Sequence, residues 1–386
     1  MFKKLTGKNP REYEYAARHI MDNADEKLFA ELVEKDSFLF DFVKQNVAQR
    51  LEKATNEHNW QTVLSFLKYY SPSYEEFVAS TLAKYADEDL TDRMLEFLEK
   101  GTDDEKTYAA KFFSYVQDPL AIEFLKKNSY TENEYLNTNC AITLAAMKEE
   151  SSYNEAIEKL KSRDDFEKLA AVKFLTAYGK KDALPQILDA MKNSSMAENI
   201  AGEIPYLESI FNILEDNFEN GLLVVNYIIN GLGEILGLSQ VFDFELFEVL
   251  EFIETKFEDS RAAVVLLNAR EKFETLTEND EYLFDEDKNT KNEINDIKKL
   301  LFNIDKKELL SKVNAELKED SPFVFTALDF ATDLMAIREL LKCNNQTIIL
   351  KTAEILKSLG NLDDTAKTVA LLKITDENIK SIIRAL

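Results

Sequence analysis

Four carboxylates, Glu96, Glu123, Glu158 and Asp189, occupy the third place of four similar apolar segments: Met94–Leu98, Ala121–Leu125, Ala156–Leu160 and Ile187–Met191. If each segment is helical, its first, second and fifth residues point to one side. The third then points nearly opposite, because each residue turns about 100° around the axis. A row of carboxylates on successive helices would attract and orient a basic partner through its summed field. Two earlier segments carry Ala30 and Ser65 at this place, and an exposed position in an acidic protein is often acidic for no further reason. Both readings stand at the level of sequence.

The other reactive side chains form no catalytic constellation. His19 and His58 lie neither in a metal spacing nor beside a cysteine. His58, in Asn56-Glu57-His58-Asn59-Trp60, reads as a surface turn residue. Cys140 falls at a small-residue core position and reads as a buried thiol; with Cys343 far away in sequence, no disulfide framework is expected. Gly231, Gly233 and Gly237 lie in an apolar, helix-like run and follow no strand, so they are not a phosphate-binding loop. Asp285, Asp287, Asn289 and Glu293 are similar to the start of a calcium loop. Thr290 replaces the required glycine and Asp296 the usual final glutamate, so a solvated acidic loop accounts for them. No catalytic residue, cofactor or metal is therefore expected. Asn226, Asn230 and Glu234 are four apart on one helix face. They read as the wet stripe of an apolar helix, with a buried polar seam holding a partner helix as the sharper alternative.

These residues ride on a periodic chain. Ile20, Leu51, Leu82, Phe113, Leu144 and Leu175 stand 31 residues apart, the mark of a stacked-repeat architecture. Only 9 Gly and 6 Pro in 386 residues leave few turn-formers for β structure and suit a helical chain. In the clearest repeat, Ala170-Ala171 precede Leu175 and Tyr178, and Gly179 supplies the helix stop. A second helix follows from Ala183 to Met191, with Pro185 in its first turn. The pair can be laid over Ala109-Ala110 with Phe113, Val78-Ala79 with Leu82, Val47-Ala48 with Leu51, Cys140-Ala141 with Leu144, and Ala16-Ala17 with Ile20. Acidic residues often open the first helix, as at Asp103-Asp104-Glu105, which suits the helix dipole.

The pattern resembles the HEAT-repeat family of α-solenoids. The resemblance is carried by Asp164-Asp165, Ala170-Ala171, Leu175, Gly179, Ala183-Leu184-Pro185 and Leu188, and again by Thr352-Ala353, Leu356, Leu359-Gly360 and Asp364-Thr365-Ala366. It covers roughly two thirds of the chain. The arginine often found early in the Ala-rich helix is missing; Lys168 and Lys173 are the nearest basic residues. The resemblance implies an all-α superhelix of antiparallel helix pairs with an extended binding surface. The usual family register would put the Ala-rich helices on the concave side and the acidic ladder outside. HEAT-like folds also include DNA glycosylases and bilin lyase subunits, so an enzyme or enzyme subunit is the alternative function.

A chain this long must split or repeat. Regular repeats are expected over 1–194, longer irregular helix pairs over 195–277, an acidic loop or boundary at 278–291, and further HEAT-like helices over 292–386, one opened by Ser321-Pro322. A formal net charge of -25 repels a phosphate backbone, so nucleic acid is an unlikely ligand and a basic protein or peptide a better one. The most apolar run, Leu222 to Leu238, is short for a membrane span and broken by Asn226, Asn230 and Glu234. The N-terminal residues carry charge without the apolar core of a signal peptide, so the chain reads as cytoplasmic. The expected function is a non-enzymatic protein-binding scaffold.

Overall fold

The computed structural model describes residues 37–67, 72–129, 131, 133–278 and 286–386, and the regular elements among them are all helical. They form two compact units, one reaching to Lys159 and including Lys173–Tyr178, the other made of Leu160–Val172 and Gly179–Leu386. The dividing line runs through one helix, inside the stretch that the sequence presents as a single regular array.

The first unit contains α1 (Ser37–Asn56), α2 (Trp60–Leu67), α3 (Pro72–Ala83), α4 (Glu88–Lys100), α5 (Asp103–Val116), α6 (Ala121–Asn128), α7 (Glu134–Ala146), α8 (Glu150–Lys159) and the last residues of α9 (Asp165–Tyr178). Helices α1, α3, α5 and α7 pack in succession, and α4 packs on α6. Three even helices also pack on the odd helix that follows, α2 on α3, α4 on α5 and α6 on α7. The 31-residue period explains this order. Leu51, Leu82, Phe113, Leu144 and Leu175 fall on successive odd helices, and all are buried; Ile20, with Ala16 and Ala17, lies outside the described residues. Ala109, Ala110 and Ala171 are buried as expected, whereas Ala170 is exposed. It lies one position off the packed side, so only one alanine of that pair makes the close approach.

After α5, α7 and α9 the chain turns through a left-handed residue, and these three stand 31 positions apart. Gln117 has φ 55°, Lys148 φ 54° and Gly179 φ 75°. Glycine adopts this geometry freely; glutamine and lysine do so at a cost. Acidic and polar residues start the helices. Thr102 and Glu105 form a reciprocal capping box on α5, and Asp87 caps α4.

The second unit continues with α10 (Leu184–Lys192), α11 (Ala197–Glu203), α12 (Ile210–Asp216), α13 (Phe218–Gly231), α14 (Gln240–Asp243), α15 (Leu246–Glu254) and α16 (Ser260–Glu278). After the acidic segment come α17 (Lys288–Asn303), α18 (Lys306–Val313), α19 (Val324–Phe330), α20 (Leu334–Glu339), α21 (Gln346–Ser358), α22 (Asp364–Lys373) and α23 (Glu377–Ala385). Its centre is α13 packed on α16. Every residue from Ala262 to Leu267 is fully buried, so the first half of α16 is covered on all sides.

Three sequence expectations shift here. The apolar run from Leu222 does not stay helical to Leu238: α13 stops at Gly231, and Gly233, at φ 85°, closes a turn in which the Leu236 amide donates to the Gly231 carbonyl at 2.8 Å. A side chain at Gly233 would also strike Leu276, with a Cβ only 2.6 Å from its Cδ2. The acidic loop is shorter than 278–291, because Glu278 ends α16 and Lys288 opens α17; residues 279–285 lie outside the described residues. The two helices it joins pack on each other within one unit. Finally, Ser321-Pro322 precede a helix instead of opening it. The Ser321 hydroxyl accepts from the Phe323 amide at 3.2 Å, and α19 begins at Val324.

Leu175 is fully buried, so Leu175→Ala should cost about 2–5 kcal/mol in a denaturant titration, the range for emptying a packed leucine site. A loss below about 1 kcal/mol would contradict the packing described for this slot.

Candidate functional site

The four ladder carboxylates stand where the helical register puts them. Glu96 is exposed on α4, Glu123 on α6, Glu158 on α8 and Asp189 on α10, while the first and fifth residues of each segment are buried. The first three belong to one unit and Asp189 to the other. Glu96 pairs with Arg93 one turn earlier, whose guanidinium lies 4.6 Å from the centre of the Phe97 ring. Asp189 accepts from the Asn193 side chain through its carbonyl at 2.9 Å.

A second polar centre has no counterpart in the sequence reading. Glu75, in the first turn of α3, is only 2% exposed. Its carboxylate forms an ion pair with Lys111 of α5 and accepts from the Tyr135 hydroxyl of α7. Lys111 also donates to the Tyr135 oxygen at 2.9 Å. Three consecutive odd helices are thus tied at one point. Burial alone would pull the lysine down, but the bonds to Glu75 and Tyr135 outweigh it and hold Lys111 above its usual range. Burial, then the Glu75 carboxylate, pushes the Tyr135 hydroxyl up. The one sequence signal was Lys111 itself, a charge inside Ala109-Ala110-Lys111-Phe112-Phe113 whose other members are all buried.

A third polar link starts from Lys168, at the opening of the Ala-rich helix α9. Lys168 is buried and donates to Asp165 and to the Asn193 carbonyl, both at 2.8 Å. Asp165 in turn accepts from the Ser195 amide at 2.8 Å, and Lys168 with Ser195 holds its carboxyl well below the usual range. Similar links join Asn133 to Asp103 and the Asn128 side chain to the Leu98 carbonyl, each 30 residues apart.

The asparagine stripe is a buried seam. Asn226 of α13 donates to Thr326 of α19 at 2.9 Å and accepts from Asn268 of α16 at 2.9 Å; Asn268 also donates to Asn230 at 2.7 Å. The wet-stripe reading fails because α16 covers this face, and the partner helix is the chain's own. Glu234 lies beyond the end of α13 and is exposed.

The calcium-loop residues are arranged otherwise. Asp287 caps α17, accepting from the Asn289 and Thr290 amides at 2.7 and 3.1 Å, and Asn289 and Glu293 lie on that helix. A helical backbone cannot wrap an ion as the loop would; Asp285 lies outside the described residues. No group of three or more His, Cys, Asp or Glu that could hold a metal occurs among the described residues. No helix there is long and apolar enough to cross a membrane. His58 is an exposed turn residue with φ 53°, its ring edge-on to Trp60, and His19 lies outside the described residues. Cys140 is a free, buried thiol that burial pushes up to about 12; Cys343 is also free and buried. No protein-family model and no curated protein matches the sequence.

Removing Lys111 would strand Glu75 without its cation. Lys111→Met should therefore cost about 3–5 kcal/mol, and adding Glu75→Leu should recover most of it, because a buried pair replaced by apolar groups loses little. Denaturant midpoints of the single and double variants check this; equal midpoints for wild type and Lys111→Met would contradict it.

Glu149 gives a pH test. Burial opposes its charge, but Ser152, Lys126 and Ser151 outweigh that and lower it from 4.5 to about 2. A lowered carboxyl stabilises the fold above its unfolded value and loses that contribution as pH falls. Glu149→Gln should be less stable than wild type at neutral pH, with the gap closing between pH 4.5 and about 2. A gap that persists at the acid end would assign its role to packing.

Proposed function

We propose that this chain is an α-solenoid of HEAT-like helix pairs and works as a non-enzymatic scaffold, binding a basic protein or peptide along an extended helical face. The observation that carries this reading is the succession of α1, α3, α5 and α7, each contributing one buried residue per 31-residue repeat and each packing on the next. Elements that pack on sequence neighbours generate long surfaces, and such surfaces suit macromolecules. The even helices leave Glu96, Glu123, Glu158 and Asp189 exposed, and the net charge of -25 favours a basic ligand.

The test uses a labelled arginine-rich peptide and its glutamate counterpart. The chain should bind only the former, with affinity falling as salt rises. Reversing Glu96, Glu123, Glu158 and Asp189 to Lys should leave helical content unchanged and slow association roughly tenfold or more at low salt. Reversing four other exposed acids, Glu215, Asp216, Glu251 and Glu354, should have a smaller effect. Equal effects of the two sets would reduce the ladder to general acidity, and no binding of the basic peptide would remove the reading.

A further inference from the structure

The odd helices of the first unit present a second exposed surface, built differently from the ladder. Tyr115 of α5 and Tyr135 of α7 are 41% and 43% exposed. Both reach back to the start of α3. The Tyr115 hydroxyl donates to Glu76 and the Tyr135 hydroxyl to Glu75, so adjacent residues tether the two rings. Lys111 lies one turn before Tyr115, its Nζ 5.2 Å from the centre of the Tyr135 ring. Ile142, 45% exposed, follows Tyr135 by two turns of α7 and so shares its side of the helix.

This arrangement fixes two aromatic rings at the surface before any ligand arrives. A tyrosine locked by its hydroxyl loses little freedom on binding, which is why such residues anchor interfaces. The charges are equally specific. Lys111 is matched by Glu75 beneath the surface. Glu76 is exposed; one of its oxygens accepts from Tyr115, and the other has no partner among the described residues. With Lys111 already over the Tyr135 ring, the surface offers the half-exposed Tyr115 ring for stacking, the Tyr135 ring and Ile142 beside it, and one outward carboxylate oxygen.

We propose that the Tyr115–Tyr135 surface, with Glu76, is the docking site for an arginine of a basic peptide segment. A guanidinium is planar, so it can stack on a tyrosine ring while donating to a carboxylate at its edge; a lysine ammonium fits the carboxylate but does not stack. The aliphatic stem of the arginine, or a neighbouring apolar residue of the peptide, covers Ile142. The inference rests on the basic-partner reading and divides the labour: the ladder steers and this surface holds.

The experiment measures association and dissociation rates of the labelled arginine-rich peptide and a lysine-rich peptide of equal length. Wild type should prefer arginine. Glu76→Gln keeps an acceptor for Tyr115 and should raise the dissociation rate about tenfold, the effect of roughly 1.4 kcal/mol. Tyr115→Leu should abolish the preference for arginine over lysine. The ladder reversal should act on association alone. If the peptide binds, the ladder reversal weakens it, and both surface variants behave as wild type, this site is wrong while the scaffold reading stands. If wild type binds neither peptide, both fall. Unchanged helical content and melting of Glu76→Gln separate loss of the site from loss of the fold.

Discussion

A helix of about ten residues is marginal in water, because its first turn costs more order than its few hydrogen bonds return. Most of the described helices are shorter than 15 residues, within that marginal range. None can persist unless a neighbour covers its apolar side, and the whole structure follows from how that cover is supplied. In the first unit it comes at a fixed interval. A large residue every 31 positions is buried on each odd helix, α1, α3, α5 and α7 pack in succession, and α2, α4 and α6 pack against them. In the second unit the cover is concentrated on α13 and on the first half of α16, whose residues Ala262–Leu267 are buried without exception.

Apolar cover is non-directional, and register needs something more selective. Polar cross-links supply it. Asn133 to Asp103, Ser195 to Asp165 and Asn128 to Leu98 each span 30 residues, about one repeat. Near the C-terminus the Gln346 side chain accepts from the Thr375 and Asp376 amides, 29 and 30 residues away. A slip of one residue would break all of these bonds, and it would cost most at Asn128, which is buried and whose amide would be left unmet. The Glu75–Lys111–Tyr135 cluster extends the idea over three helices, since its carboxylate has no good alternative to that lysine.

What the sequence displayed was whatever repeats. Leu51, Leu82, Phe113, Leu144 and Leu175 could be found because their interval is constant, and the exposure of Glu96, Glu123, Glu158 and Asp189 followed from helical geometry alone. Buried Cys140 was legible from its small-residue slot. The Glu75 cluster was not, because its members lie 36 and 24 residues from one another along the chain and share no slot. Asn226 and Asn230 were visible as a stripe, but their preference for burial depended on α16, whose arrival no local pattern announces. The break at Gly231 was hidden inside an apolar run, where composition cannot distinguish a continuing helix from a turn packed against Leu276.

The Asn226 seam also sets an order of events during synthesis. Asn268 follows Asn226 by 42 residues and Thr326 by 100. At translation rates of about 5–20 residues per second, the Thr326 hydroxyl emerges on the order of 5–20 s after Asn226. For that interval an apolar helix with an unmatched amide is outside the ribosome, while the residues of the first unit, the last of which is Tyr178, have all been made. The nascent chain thus matures from its N-terminal part onward, and the stretch between Asn226 and Thr326 is where it most needs protection from other chains.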